Sequence, residues 1–186
     1  MRSAVGPSLV EAPPWGIRPE LPIDIDQIHD LHRAAFNGPA EAELVDAVRA
    51  SPGFVPELSL VAVTEDGSVL GHLLISRIGF DPDGEAAPFD VLALAPVGVL
   101  PAYQSRGIGT ALTQAALRLA DTRDDPLVAV LGSPAFYGPF GFIPARDASV
   151  RGPYDSAGAA FQVRARGGSG SIPSGVVTYP ASFSGV

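Results

Sequence analysis

Apolar and polar positions change their period several times along this chain, and each change marks an element. After Asp24, residues Ile25, Ile28, Leu31 and Ala35 recur at helical spacing with His29, Asp30 and Arg33 between them, which predicts a helix capped by Asp24. A second helix follows Gly38-Pro39. Leu44, Val45 and Val48 occupy one side and Glu41, Glu43, Asp46 and Arg49 the other, until Ser51-Pro52-Gly53 stops it. The period then drops to that of strands. Leu58–Thr64 is apolar and β-branched, Glu65-Asp66-Gly67-Ser68 supplies a turn, and Val69–Phe80 returns. Asp81-Pro82-Asp83-Gly84 turns the chain again into Phe89–Leu100, which is apolar on both faces and therefore central.

Beyond Pro101, a loop over Ala102–Gly107 leads into a helix from Ile108 to Ala120, with Ile108, Leu112, Ala115, Ala116 and Leu119 on one face. Leu127–Leu131 reads as a short buried strand. Ser133–Phe142 reads as one or two helical turns and the start of another strand, and the tail holds strand candidates at Phe161–Arg164 and Val176–Tyr179. A glycine-serine run over 167–171 is a surface loop. A short strand begins near Trp15–Ile17, and from there the order is α-α-β-β-β-α-β-α-β: an α/β domain with a mixed sheet. Residues 1–16 are expected to be a flexible leader, and 17–186 the domain.

Composition narrows the chemistry. The 186 residues suit one domain, and 46 % apolar against 17 % charged residues excludes a disordered chain. There is no cysteine, which removes disulfides, thiol catalysis and cysteine-ligated metals. All 12 basic residues are arginine, so a Walker A lysine and a Schiff-base lysine are absent too. A net charge of −8 disfavours nucleic acid as a partner and mildly favours cationic ones. The longest nearly unbroken apolar run, Val91–Leu100, is far short of a membrane span, and the first fifteen residues lack a signal-peptide core. The expected setting is cytoplasmic, away from membranes.

The loop after the central strand carries the most information. Gly107 and Gly109 stand where strand passes to helix, and a helix start presents unpaired N–H groups and the positive end of its dipole to anions. A Rossmann fingerprint needs a third glycine, where this chain has Leu112, and on spacing alone Gly-x-Gly is no more than a tight turn. The wider pattern says more. Val-x-Val-x-Pro-x-x-Gln-x-x-Gly-x-Gly over Val97–Gly109 resembles the acyl-coenzyme A motif of the Gcn5-related N-acetyltransferase (GNAT) superfamily. Ala135-Phe136-Tyr137-Gly138-Pro139-Phe140-Gly141-Phe142 is similar to its later tyrosine and Gly-Phe signature. Leu-His-Arg-Ala-Ala-Phe over residues 31–36, Gly71-His72, Val130-Leu131-Gly132, Arg151-Gly152-Pro153-Tyr154 and the Val-Thr-Tyr-Pro close resemble its YhbS-like bacterial branch.

This resemblance, which spans Ile17–Phe183, implies a mixed sheet with splayed central strands flanked by helices, and acetyl-CoA as co-substrate without a metal. It implies that Val97, Gly98 and Val99 hold the pantetheine arm, while Ser105, Arg106, Gly107, Ile108, Gly109 and Thr110 cradle the pyrophosphate. Gln104 braces the loop. It makes Tyr137 the acid that protonates the departing thiolate, with a core aromatic as the plainer role. The acceptor it implies is a primary amine, on a small molecule or a peptide, attacking the thioester directly without an acyl-enzyme. Relatives of the branch tend to carry Asp where this chain has Ser133, so the general base is open among His72, Asp90 and Glu43. His29 and His32 share a helix face but lack a third metal ligand. The alternative is a non-catalytic acyl-CoA-binding or sensing module of the same fold. A homodimer is an expectation by analogy with such folds.

Overall fold

A computed structural model describes residues 14–84 and 86–184. The expected leader therefore lies, up to residue 13, outside the described residues. Strand β1 (Trp15–Pro19) already includes Trp15 and Gly16, two residues ahead of the expected domain start. A single 3-10 turn, Pro22–Asp24, runs straight into α1 (Ile25–Phe36), and α2 (Ala40–Arg49) follows. Asp24 does not cap α1 through its side chain, contrary to the expectation from sequence. Its carboxylate instead accepts the Leu21 N–H at 2.8 Å and two hydrogen bonds from Arg18 at 2.6 and 3.0 Å, and this ion pair holds it below the usual carboxylate range.

Strands β2 (Ser59–Thr64), β3 (Val69–Pro82) and β4 (Phe89–Val99) form an antiparallel meander, and β1 pairs with the outer edge of β2. Helix α3 (Ile108–Ala120) then crosses to β5 (Leu127–Leu131), which lies parallel to β4. A one-turn helix α4 (Pro134–Tyr137) follows. The rest of the chain adds β6 (Ile143–Pro144), β7 (Val150–Arg151), β8 (Phe161–Ala165) and β9 (Gly175–Thr178). The sheet runs β1-β2-β3-β4-β5-β8-β6, and β9 pairs with the distal half of β3 while β7 pairs with β9. It is mixed, as expected, with β4 and β5 central.

The sheet separates two apolar clusters. Ile28, Leu31, Val45, Val48, Leu74, Phe80, Phe161 and Phe183 pack under α1, α2 and the C-terminal segment. Leu73, Ile75, Leu92, Leu94, Leu112, Ala116 and Phe142 pack under α3 on the other face. Strand β4 needs apolar residues on both sides because helices cover both, and Val91–Leu94 are buried accordingly.

Candidate active site

The two central strands part company at their C-terminal ends. β4 and β5 pair only over Leu92–Leu94 and Val128–Val130. On its other edge, β4 slips register against β3 between Leu73 and Ile75, so that Ala95 and Pro96 stand opposite the single residue Leu74. Proline has no N–H for a ladder bond, so Pro96 suits this break. Among the described residues, Ala95–Val99 have no strand partner on the β5 side, and a wedge opens there.

One side of the wedge is a cleft of about 560 Å³ that leads to the start of α3. Val97, Val99, Ser105, Gly107, Ile108, Gly109 and Thr110, all candidates from the sequence, line it together with Phe136. Gly107 is the residue that makes the turn: its φ of 82° is one that a side chain resists, and it delivers the chain into α3. The amides of Ile108, Gly109 and Thr110, in the first turn of a 13-residue helix, precede the point where the internal ladder begins, with Ala111 N–H bonded to the Gly107 carbonyl at 2.9 Å. Ile108 itself is buried, so only its backbone is free to serve a ligand. Gln104 Nε2 donates to the Val99 carbonyl at 3.1 Å and ties the loop to the strand, as expected. Two candidates stand apart from this cleft. Gly98 faces the opposite side of β4, against His32 and Leu31, and Arg106 lies outside the cleft lining with its guanidinium 5.7 Å from the Tyr103 ring centre.

The other side of the wedge is a cavity of about 370 Å³, and it meets the cleft at the two residues they share, Val97 and Phe136. Tyr137 lines this cavity. Pro134 opens α4 directly after β5, and the Ser133 carbonyl accepts the Phe136 and Tyr137 N–H groups at 3.0 Å each, which turns the tyrosine back toward the wedge. Its ring sits edge-on to Phe136 and Phe142, and any Cβ at position 132 would collide with it, so glycine is required there. Burial pushes the phenol up to about 12, and among the described residues its hydroxyl makes no hydrogen bond. The cavity also receives Tyr154 and Tyr179, whose rings meet edge to face at 5.1 Å. One carboxylate, Glu41 of α2, lies in the wall.

Comparison with known proteins gives this geometry its family. The model of the acetyltransferase (GNAT) family matches residues 25–142, a span from α1 through the Tyr137 segment. The chain belongs to the GNAT family. It is 35 % identical over 147 residues to the uncharacterized N-acetyltransferase YhbS of Escherichia coli (strain K12), covering 79 % of this chain and 84 % of that protein. It is 32 % identical over 132 residues to the uncharacterized N-acetyltransferase YjhQ of the same organism, covering 70 % and 71 %. The crystal structure of E. coli YhbS in complex with CoA superposes with a TM-score of 0.79 at 31 % identity, covering 94 % of each chain. A GNAT family acetyltransferase from Brucella melitensis in complex with acetyl-CoA superposes with a TM-score of 0.71 at 32 % identity, covering 91 % and 97 %.

Within this GNAT fold, none of the three residues weighed as general base reaches the wedge. His72 is fully buried, between His32 Nε2 at 2.8 Å and Ser59 Oγ at 2.9 Å. Asp90 is exposed at the far end of β4, opposite Gly79. Glu43 is exposed on the outer face of α2. Ser133 lines the cavity but brings no charge. His29 pairs with Asp46 at 2.8 Å, and among the described residues no group of three or more His, Cys, Asp or Glu is placed to hold a metal. Among the described residues no helix is long and apolar enough to cross a membrane.

Glu41 was missed, although a signal existed. It stands three, four and seven residues before Leu44, Val45 and Val48, so it continues the buried stripe of α2 and does not belong with the solvated face. Tyr154 and Tyr179 were visible only as parts of the Arg-Gly-Pro-Tyr and Val-Thr-Tyr-Pro stretches.

Proposed function

We propose that this chain is an N-acetyltransferase that takes acetyl-CoA as co-substrate and passes the acetyl group directly to a primary amine. The observation that carries this reading is the meeting of two compartments at Val97 and Phe136. The cleft ends at a helix start suited to phosphate oxygens, and the cavity beyond holds Tyr137. The α3 amides and the glycine turn at 107 fit a diphosphate, because nothing bulkier than glycine's hydrogen stands at the turn and the dipole there is positive. The unpaired edge of β4 offers backbone groups to the pantetheine arm and to the carbonyl that gains negative charge during attack.

Acetyl-CoA supplies a thioester, whose carbonyl carbon is open to a neutral amine. The new C–N bond forms first and leaves negative charge on the carbonyl oxygen; the C–S bond then breaks, and the proton lost from nitrogen ends on sulfur. The protein's part is chiefly placement, since two bound reactants held in register need no covalent relay. Tyr137 stays protonated across the neutral range because burial holds its pKa near 12. Complete donation to a thiolate of ordinary pKa, ~8.5 for an unperturbed thiol, is uphill from such a phenol. Its contribution is therefore a hydrogen bond that strengthens as charge gathers on sulfur, while the amine's own proton closes the balance. A sensing module would not need a tyrosine buried beside a second, roomy compartment.

Calorimetric titration of coenzyme A, followed by free-thiol release from acetyl-CoA with a panel of amines, tests the reading. Binding with turnover supports it. An absence of coenzyme A binding removes it, and binding without turnover on any amine leaves only the sensing role.

A further inference from the structure

We infer that the cavity beside Tyr137 takes a compact monoamine with an aromatic or aliphatic body, and that Glu41 anchors its ammonium group, which gives up one proton to solvent before the neutral nitrogen attacks. This rests on the acetyltransferase reading above. The walls are mostly rings and aliphatic chains, with Phe36, Phe136, Tyr154, Tyr179 and Phe183 around the space. Such a surface rewards apolar area and tolerates an ammonium against ring faces. The only charged residue in the lining is Glu41, a half-buried carboxylate that has no ion pair or hydrogen bond among the described residues. As the one acidic side chain in an otherwise apolar lining, Glu41 gives a cationic ligand its point of charge attraction there.

Count and size decide the class. A polyamine or an aminoglycoside carries several ammonium groups and needs several carboxylates, where this lining holds one. A peptide needs a groove with polar groups for its backbone. Here buried Phe183 stands in the wall with Leu44, and the side chains around the space are mostly apolar. The volume of about 370 Å³ is room for about a dozen water-sized atoms. That matches an arylalkylamine or a branched alkylamine in one pocket, with its nitrogen between Glu41 and the shared wall at Val97.

The test uses the full chain with acetyl-CoA and three acceptors: 2-phenylethylamine, spermidine and an unblocked tripeptide. Thiol release gives kcat and KM, and calorimetry in the presence of coenzyme A gives amine binding whether or not turnover occurs. The expected result is a kcat/KM for 2-phenylethylamine at least about tenfold above the other two. Glu41→Gln is expected to raise KM or Kd for that amine at least about tenfold, with kcat changed less than KM, and Glu41→Asp to recover part of the loss. Coenzyme A affinity measured on each variant reports that the fold is intact. Glu41-dependent binding of 2-phenylethylamine without turnover supports this inference while removing the enzyme reading. Turnover that prefers spermidine or the peptide, or a Glu41→Gln variant with unchanged KM, overturns the inference and leaves the enzyme reading standing. Absence of amine binding to the coenzyme A complex overturns it as well.

Discussion

His32 Nε2 and His72 Nδ1 lie 2.8 Å apart in the interior, with both imidazoles fully buried. The roles along this chain of bonds follow from its far end. Glu20 accepts the Ser59 hydroxyl proton at 2.6 Å, so Ser59 Oγ accepts from His72 Nε2, and His72 Nδ1 is left to accept from His32. Burial works to raise the Glu20 carboxyl, but the hydrogen bonds from Arg49 and Ser59, with His72 Nε2–H on the side 3.3 Å away, outweigh it and hold it down at about 2. Burial, then the neighbouring His72 and Arg49, pushes His32 down to about 2, and burial is also the main cause that lowers His72.

Acid should therefore unfold this protein early. Both histidines stay neutral in the fold, yet in the unfolded chain they take up protons below ~6.5. Their contribution to stability is complete above that value and is lost as pH falls toward the folded values, by up to about 1.4 kcal/mol per pH unit for each histidine. Glu20 adds to the loss only below ~4.5, its ordinary range. Urea midpoints are expected to stay nearly level from pH ~7.5 to about 6.5 and to fall from there to pH ~5. A midpoint that stays level over the whole range refutes the neutral pair.

Tyr137→Phe separates chemistry from binding. The substitution keeps the ring packing against Phe136 and Phe142 and removes only the hydroxyl. The expected outcome is a kcat lower by about 10² with coenzyme A affinity unchanged. Because burial holds the phenol near 12, its ionisation should leave no descending limb in the wild-type kcat profile below pH 10. Gly132→Ala should reach a similar kcat by another route, since the added methyl must displace the Tyr137 ring. Steady-state kinetics on both variants checks this. A Tyr137→Phe enzyme with wild-type kcat would return the residue to the core.

The elements that position the wedge were legible because their signals are local. The helical stripes of α1 and α3, the hairpin at Glu65–Ser68 and the doubly apolar β4 follow from period and turn chemistry. The glycine turn at 107 was legible for the same reason. What the sequence hides is set by distance in the chain. β9 joins β3 across about a hundred residues, and Glu20 just after β1, Ser59 of β2 and His72 of β3 come together from separate stretches of chain. The two-residue strands β6 and β7 and the 3-10 turns between them carry too few residues for any period to show. Glu41 was misplaced by reading every charge of α2 as one face, when its offset from Leu44 and Val48 sets it on the other.

Gly107 offers a test of the cleft alone. Alanine at a φ of 82° costs roughly 1–2 kcal/mol of backbone strain, and aspartate adds a negative charge at a helix start. Gly107→Ala is expected to weaken coenzyme A binding about tenfold, and Gly107→Asp to abolish it, with amine binding to the cavity less affected. Titration calorimetry on the two variants checks the order. Equal affinity for Gly107→Asp and wild type would place the diphosphate elsewhere.

Arg164 fastens the Tyr137 segment to the rest of the domain. The side chain leaves β8 with only 7 % of its surface exposed. It donates Nε to the Phe140 carbonyl at 2.8 Å and both Nη groups to Asp121 at 2.7 and 2.9 Å, while Asp121 also accepts the Gly167 N–H at 2.8 Å. Phe140 lies three residues after Tyr137, so one guanidinium links the turn behind the phenol to the end of α3. Removing Arg164 leaves Asp121, which is 25 % exposed and keeps the Gly167 N–H, and an unpaired Phe140 carbonyl, at a cost of about 1–3 kcal/mol. Arg164→Met is expected to lower stability by about that much. Asp121→Asn, more exposed and still able to accept, should cost less. The double variant should lose clearly less than the two single losses added together, because the shared ion pair is broken only once. Chemical denaturation of the four proteins gives the coupling directly, and strict additivity would show that the pair does not act as the clamp its geometry describes.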